Sequence, residues 1–137
     1  MEYLLGIDFG GSSSKATLID CNGNIICTAS HEYPMYYPQD GFCEQAAEDC
    51  YEACIHNIQS ILIKSGIRSE QITALAVDSA THMAVLLDEN DNVIRKVIHW
   101  SDSRSTKESA LLRKEYLTML RKYCYENRVT FFDFPEA

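Results

Sequence analysis

The sequence predicts an α/β fold built on a mixed sheet, and three observations carry that prediction. Three short apolar or alternating segments follow one another within the first 33 residues, separated only by turn residues. A long stretch of helical periodicity comes next, between residues 44 and 65. A further short apolar run at 72–78 follows it, placed where a helical crossover returns the chain parallel to an earlier strand.

Taken in order, residues 3–9 read as a first strand, its Leu4-Leu5-Gly6-Ile7 core suited to burial on both faces. The strand ends in Asp8, and Gly10-Gly11-Ser12-Ser13-Ser14 gives a tight turn into a second strand at 15–19. Asp20-Cys21-Asn22-Gly23-Asn24 contains an Asn-Gly pair, a strong hairpin signal, and 25–33 returns as a third strand. Two prolines and a glycine make 34–41 a loop. Apolar residues then fall at 47, 50, 51, 54, 55, 58, 61 and 62, the spacing of one helix face, with Glu48, Asp49, Glu52, Asn57, Gln59 and Lys64 on the other. Acidic side chains in its first turns suit the helix dipole, and Ser65-Gly66 supplies the stop.

After the run at 72–78, apolar segments at 82–87 and 93–100 read as two more strands around a polar turn at 88–92. Ser101, Asp102 and Ser103 are N-cap candidates for a last helix marked by Leu111 or Leu112, Tyr116, Leu120 and Tyr123 and ending near Asn127. The order β-β-β-α-β-β-β-α is the ribonuclease H-like pattern used by actin-type nucleotide folds. We expect a domain at 1–126 and an apolar tail at 127–137, whose Phe131, Phe132 and Phe134 call for a partner surface.

Composition narrows the function classes. The 137 residues are 46% hydrophobic and 23% charged, the balance of a globular domain. Twelve Lys and Arg against twenty Asp and Glu give a net charge of −8, which opposes binding to a nucleic-acid backbone. No apolar run reaches the roughly 18 residues of a membrane span, and the N-terminus has no basic, apolar and cleavage-site series, so a cytoplasmic location is expected. The six cysteines include no C-x-x-C pair, and reduced thiols are expected over a metal site.

Three constellations carry chemistry. In the first, Asp8 stands before a turn of Gly10, Gly11, Ser12 and Ser13, with Lys15 beyond it. Successive turn N–H groups can form an anion-binding nest, and Mg²⁺ between a carboxylate and a phosphate would reconcile the charges. Neither a P-loop nor a G-x-G-x-x-G register is present. An ordinary hairpin with a surface aspartate is the plain alternative. The second is Asp78-Ser79-Ala80-Thr81-His82-Met83, at a strand end where α/β sheets present ligand groups; a structural histidine is the alternative. The third is His99-Trp100-Ser101-Asp102-Ser103-Arg104, where an aromatic, an acid and an arginine make a sugar-binding palette, against a helix cap beside a buried tryptophan.

Together these residues resemble the N-terminal domain of the FGGY carbohydrate kinases, most nearly the xylulose and gluconate kinases. Residues 6–15 are similar to the family's G-I-D-x-G-T-S-x-x-K opening, with Gly11 where threonine is usual. Gly41-Phe42-Cys43-Glu44-Gln45 resembles its G-W-x-E-Q segment, Ser79-Ala80-Thr81-His82 its S-A-M-H, and Trp100-Ser101-Asp102-Ser103-Arg104 its W-[NA]-D-x-R. The match runs from about residue 4 to 115. The resemblance implies ATP- and Mg²⁺-dependent phosphorylation of a ketose or sugar-acid hydroxyl. It places Asp8 at the metal, Gly10, Gly11, Ser12, Ser13 and Lys15 at the phosphates, and Thr81, His82, Trp100, Asp102 and Arg104 on the sugar side.

The chain departs from the family pattern in ways that matter. Thr81 stands where methionine is usual, which leaves the sugar open, and Ala46-Ala47 replaces an Asp-Pro helix start, a loss of about 1 kcal/mol of capping. The catalytic aspartate and the adenine-binding half belong to later parts of the family's chains, and neither Asp133 nor Glu136 sits in a resembling context. The expectation is therefore a truncated kinase lobe, inactive alone, with the C-terminal part of the kinase as its partner. A non-catalytic sugar- or nucleotide-binding lobe and an activator-type ATPase of the same superfamily are the alternatives; a ribonuclease H-like nuclease is opposed by the acidic charge.

Overall fold

The computed structural model describes residues 2–127. They fall into two compact units, divided between Asp102 and Ser103. The apolar tail, with its three phenylalanines, Asp133 and Glu136, lies outside the described residues.

The first unit is built on a four-stranded sheet of β1 (Tyr3–Phe9), β2 (Ser13–Asp20), β3 (Ile25–Glu32) and β5 (Ile72–Ser79), in the order β3-β2-β1-β5. The first three strands form the expected antiparallel meander. β5 pairs parallel to β1, with Leu5 opposite Leu75, Ile7 opposite Val77 and Asp8 opposite Asp78. Between them runs α1 (Ala47–Ser65), closed by Gly66 at φ +68°, whose N–H donates to the Leu62 carbonyl. Ala46 occupies the N-cap and makes no side-chain cap, as the alanine pair implied.

α1 covers the sheet face carrying Leu5, Ile7, Ala16, Leu18 and Ala29, and Ile61 completes this core. Its buried stripe is Ala53, Asn57 and Ile61, rotated from the expected face. Tyr51 is 67% exposed, whereas Asn57 is fully enclosed. The helix has more apolar residues than the sheet can cover, so the pattern alone left the facing stripe undetermined.

The Asn-Gly pair lies in the hairpin between β2 and β3, as expected. Gly23 N–H donates to the Asp20 carbonyl and Asp20 N–H to the Asn24 carbonyl, with Gly23 at φ +84°, so Gly23 takes the left-handed position of a three-residue loop. Asp20 Oδ1 accepts from the backbone N–H of Asn22 and Asn24, both at 2.9 Å. Asp88 treats Asn90 and Asn92 in the same way, with Asp91 at φ +63°. The two segments share the pattern D-x-N-x-N, and the same side-chain acceptor shapes both turns.

Residues 82–87 and 93–100 are not the full strands expected. Leu87 and Val93 form an isolated bridge, and only β6 (Val97–Ile98) pairs, antiparallel to β4 (Glu44–Gln45). The apolar pattern there has no neighbouring strand long enough to pair with, and a strand needs one. The second unit contains α2 (Thr106–Glu126), which starts at Ser105 and not at the expected 101–103. Its C-cap Asn127 is where the sequence placed the end. The Leu120 side chain expected on its apolar face lies outside the described ones.

Candidate functional site

The site begins at the turn from Gly10 to Ser13, at the C-terminal end of β1. Gly10 N–H donates to the Ser13 carbonyl at 3.0 Å, and a Cβ on Gly10 would come within 3.2 Å of that oxygen, so glycine suits the position. No residue from Gly10 to Ser13 has a positive φ, so the αR–αL alternation of an anion nest is not formed, which corrects that expectation. The turn is instead supported through its carbonyls. The Tyr33 hydroxyl donates to the Gly10 carbonyl, Gln45 Nε2 to Gly11 at 2.6 Å, and Tyr33 N–H to Ser12 at 3.1 Å. Each carbonyl dipole that would repel an anion is thereby engaged by a donor. Burial, then the charges of Cys50 and Asp8, push the Tyr33 phenol up to about 12, so it stays a donor at neutral pH.

Asp8 sits between Lys15 on β2 and Asp78 on β5, each directly opposite it in register. Side chains opposite one another share a sheet face, and since Ile7 belongs to the α1 side, these three project from the other side. All three are exposed. A carboxylate flanked by a cation on one neighbouring strand and a second carboxylate on the other thus stands at the strand ends beside the serine turn. On the α1 side of the sheet a hollow of about 310 Å³ is lined by Phe9, Tyr33, Ala46, Cys50, Met83 and Val97. Its walls are mostly apolar, with Gln45 and Ser79 among the residues that line it.

The β4–β6 ribbon brings the third constellation to the turn. Arg95 pairs with Glu44 at 2.7 Å, and His99 N–H donates to the Cys43 carbonyl at 2.9 Å. Asp102 Oδ2 accepts from Cys43 N–H at 2.6 Å, so this carboxylate ties the 99–102 segment to the ribbon. His99 and Trp100 end beside Gly11: a Cβ there would meet His99 Nε2 at 3.5 Å and Trp100 Nε1 at 4.0 Å. Trp100 is 64% exposed, not the buried tryptophan of the plainer reading. The second constellation is joined to the end of β1 by Ala80 N–H, which donates to the Phe9 carbonyl at 2.8 Å. His82 adopts φ +62° and its Nδ1 lies 2.9 Å from Thr81 Oγ1. Arg104 belongs to the second unit.

The structure therefore gathers Asp8, Gly10, Gly11, Ser12, Ser13 and Lys15 with Trp100 around one turn, while Asp102 is held at Cys43. Thr81 and His82 follow from the neighbouring strand end. Four contributors were not singled out as site residues from the sequence. Tyr33 gave no signal beyond ending a strand; Gln45 lay within a family-like segment; Asp78 and His99 opened constellations already noted, without a role of their own.

The profile of the FGGY family of carbohydrate kinases, N-terminal domain, matches residues 3–133. This chain belongs to that family. The FGGY chain is 29% identical over 116 residues to the xylulose kinase of Bacillus subtilis, covering 85% of this chain and 23% of that protein. It is 34% identical over 114 residues to the gluconokinase of the same organism, covering 83% and 22%. Among solved structures, a xyloylose kinase from Brucella ovis superposes with a TM-score of 0.78 at 33% identity, over 83% of this chain and 24% of that one. The FGGY chain thus spans less than a quarter of the length of these relatives, and its fold is the actin- and hexokinase-like one that the strand order led us to expect.

Proposed function

We propose that this chain is the phosphate-side lobe of an ATP-dependent kinase acting on a sugar or sugar acid of the xylulose or gluconate kind. The observation that carries the reading is the Asp8–Lys15–Asp78 row beside a serine turn whose carbonyls are all engaged. Asp8 faces the metal and phosphates, while Ser12, Ser13 and Lys15 meet the terminal phosphoryl group. Thr81, His82, Trp100 and Asp102 form the acceptor side; Arg104, which the family resemblance also assigns to the sugar, belongs to the second unit.

The donor set suits Mg²⁺, which takes one or two carboxylates and completes its shell with water and phosphate oxygens. Bound there, the ion would neutralise charge on the phosphates. Lys15 holds a further positive charge at the same level of the sheet, and Trp100 offers a ring face to sugar C–H groups. Phosphoryl transfer relies on positioning and charge stabilisation, with a base to take the hydroxyl proton. That base is expected in the portion of the relatives that this chain does not span, so the lobe binds without turning over.

Calorimetry on the 137-residue protein tests the reading. Mg-ATP should bind, and Asp8→Asn should weaken binding at least about tenfold, or 1.4 kcal/mol. Nucleotide binding that is indifferent to Mg²⁺ and to Asp8 would overturn it, and sugar-dependent ADP formation would overturn the claim of inactivity.

A further inference from the structure

We propose that His99 and Trp100 form a two-donor socket beside Gly11 that takes one phosphoryl oxygen, from a nucleotide or from a phosphorylated sugar. The inference rests on the reading of the Gly10–Ser13 turn as the phosphate side and adds a contact that reading does not contain.

The argument starts from the proton on His99. Its ring is enclosed, with 6% exposure. Nδ1 lies 2.8 Å from Ser101 Oγ and accepts from Ser101 N–H at 3.3 Å. A backbone N–H only donates, so Nδ1 is the acceptor and the neutral ring carries its proton on Nε2. Burial lowers the imidazole pKa and keeps the ring in that neutral form at pH 7.

The Nε2 atom is buried and has no hydrogen-bond partner. It points toward Gly11, where the nearest other polar side-chain atom is Trp100 Nε1, again only a donor. The Gly11 carbonyl, the adjacent acceptor, is already taken by Gln45 at 2.6 Å. Two N–H groups therefore flank Gly11, whose own carbonyl is already engaged. An enclosed, unsatisfied donor is costly, and an incoming oxygen removes that cost.

An anionic oxygen fits better than a hydroxyl. It accepts from both donors at once, whereas a hydroxyl must also place its own proton. The exposed indole lies over the socket, its ring centroid 5.2 Å from that of His99 and tilted by 40°. Trp100 turns outward to admit the oxygen and then donates to it.

Trp100 is the sole tryptophan, so its emission reads the socket directly. The full chain is titrated with inorganic phosphate, Mg-ATP, xylulose 5-phosphate and unphosphorylated xylulose, by fluorescence and calorimetry. A saturable emission change that depends on the His99 Nε2 donor is expected with a phosphate-bearing probe, whereas any change with xylulose, which meets only the ring face of Trp100, should not depend on that donor. The Mg-ATP and sugar-phosphate arms tell the two sources apart. His99→Asn keeps an acceptor for Ser101 N–H but removes the Nε2 donor, and should weaken binding about tenfold. His99→Gln, whose amide reaches toward the Nε2 position, should restore most of it. Gly11→Ala places a methyl at ordinary contact distance from His99, so it should fold normally by circular dichroism yet lose the emission change.

If Mg-ATP binds the wild type and the His99→Asn protein equally, the socket is refuted while the phosphate-side reading stands. If no phosphate-bearing probe binds the wild type, both fall.

Discussion

The Tyr33 hydroxyl donates to the Gly10 carbonyl, so the residue just beyond β3 anchors a turn 23 positions earlier in the chain. The bond is shielded, since Tyr33 is only 6% exposed. Tyr33→Phe keeps the ring and removes the donor, leaving the Gly10 carbonyl without this partner. The expected loss is about 1–2 kcal/mol, read as a lower urea midpoint with unchanged slope. Because folding raises the phenol to about 12 from an ordinary 10, the unfolded chain gives up this proton first. The wild type should therefore lose stability as pH climbs from about 10 towards 12, and the phenylalanine variant should lose less.

Asn57 leads to the opposite expectation. It is fully enclosed under α1, and neither atom of its amide has a partner. Asn57→Leu, close in volume and apolar, removes that penalty and should raise stability by about 1–2 kcal/mol, seen as an increase in Tm. A drop in Tm would mean that the amide is satisfied in solution.

The thiols should separate by environment. All six cysteines are free, Cys21 exposed and Cys43 buried. Burial, then the neighbouring Asp49 carboxylate, raises the Cys50 thiol, which suppresses the reactive thiolate. With a chromogenic disulfide at pH 7.5, Cys21 should react in the first phase and Cys43 and Cys50 only after denaturation. Peptide mapping of the labelled sites checks the order.

His99 sets an acid limit. Its folded pKa lies below the ordinary 6.5, so below that pH the unfolded chain binds the proton more readily. Stability should hold above about pH 6.5 and decline as the pH falls towards the depressed value. His99→Gln should flatten this part of the pH profile of Tm.

The meander, the end of α1 at Gly66 and the parallel return of β5 were legible because each rests on a local signal: alternation, a left-handed glycine, an apolar run after a crossover. Residues 82–87 misled because apolar alternation records suitability for a sheet and not the presence of a neighbour to pair with. The helix face misled for a related reason: Tyr51 and Ile55 are apolar but solvent-exposed, while Asn57 is polar and enclosed. In the site, Asp8, the serine turn and Trp100 stood out by residue type. Gln45 and Tyr33 did not, since both act by reaching the turn across long stretches of chain, and His99 became notable only once Gly11 was beside it in space.

The parallel pairing of β1 with β5 also orders events in time. β1, β2 and β3 meet through short turns, so their contacts close quickly, whereas Asp8 and Asp78 meet only after a loop of about seventy residues has closed, with a correspondingly higher entropic barrier. The serine turn is thus assembled in the early, local part of folding, and the strand end carrying Ala80 and His82 arrives late. In reverse, partial unfolding should release that strand end first, so hydrogen exchange in β5 should outpace exchange in β1 and β2.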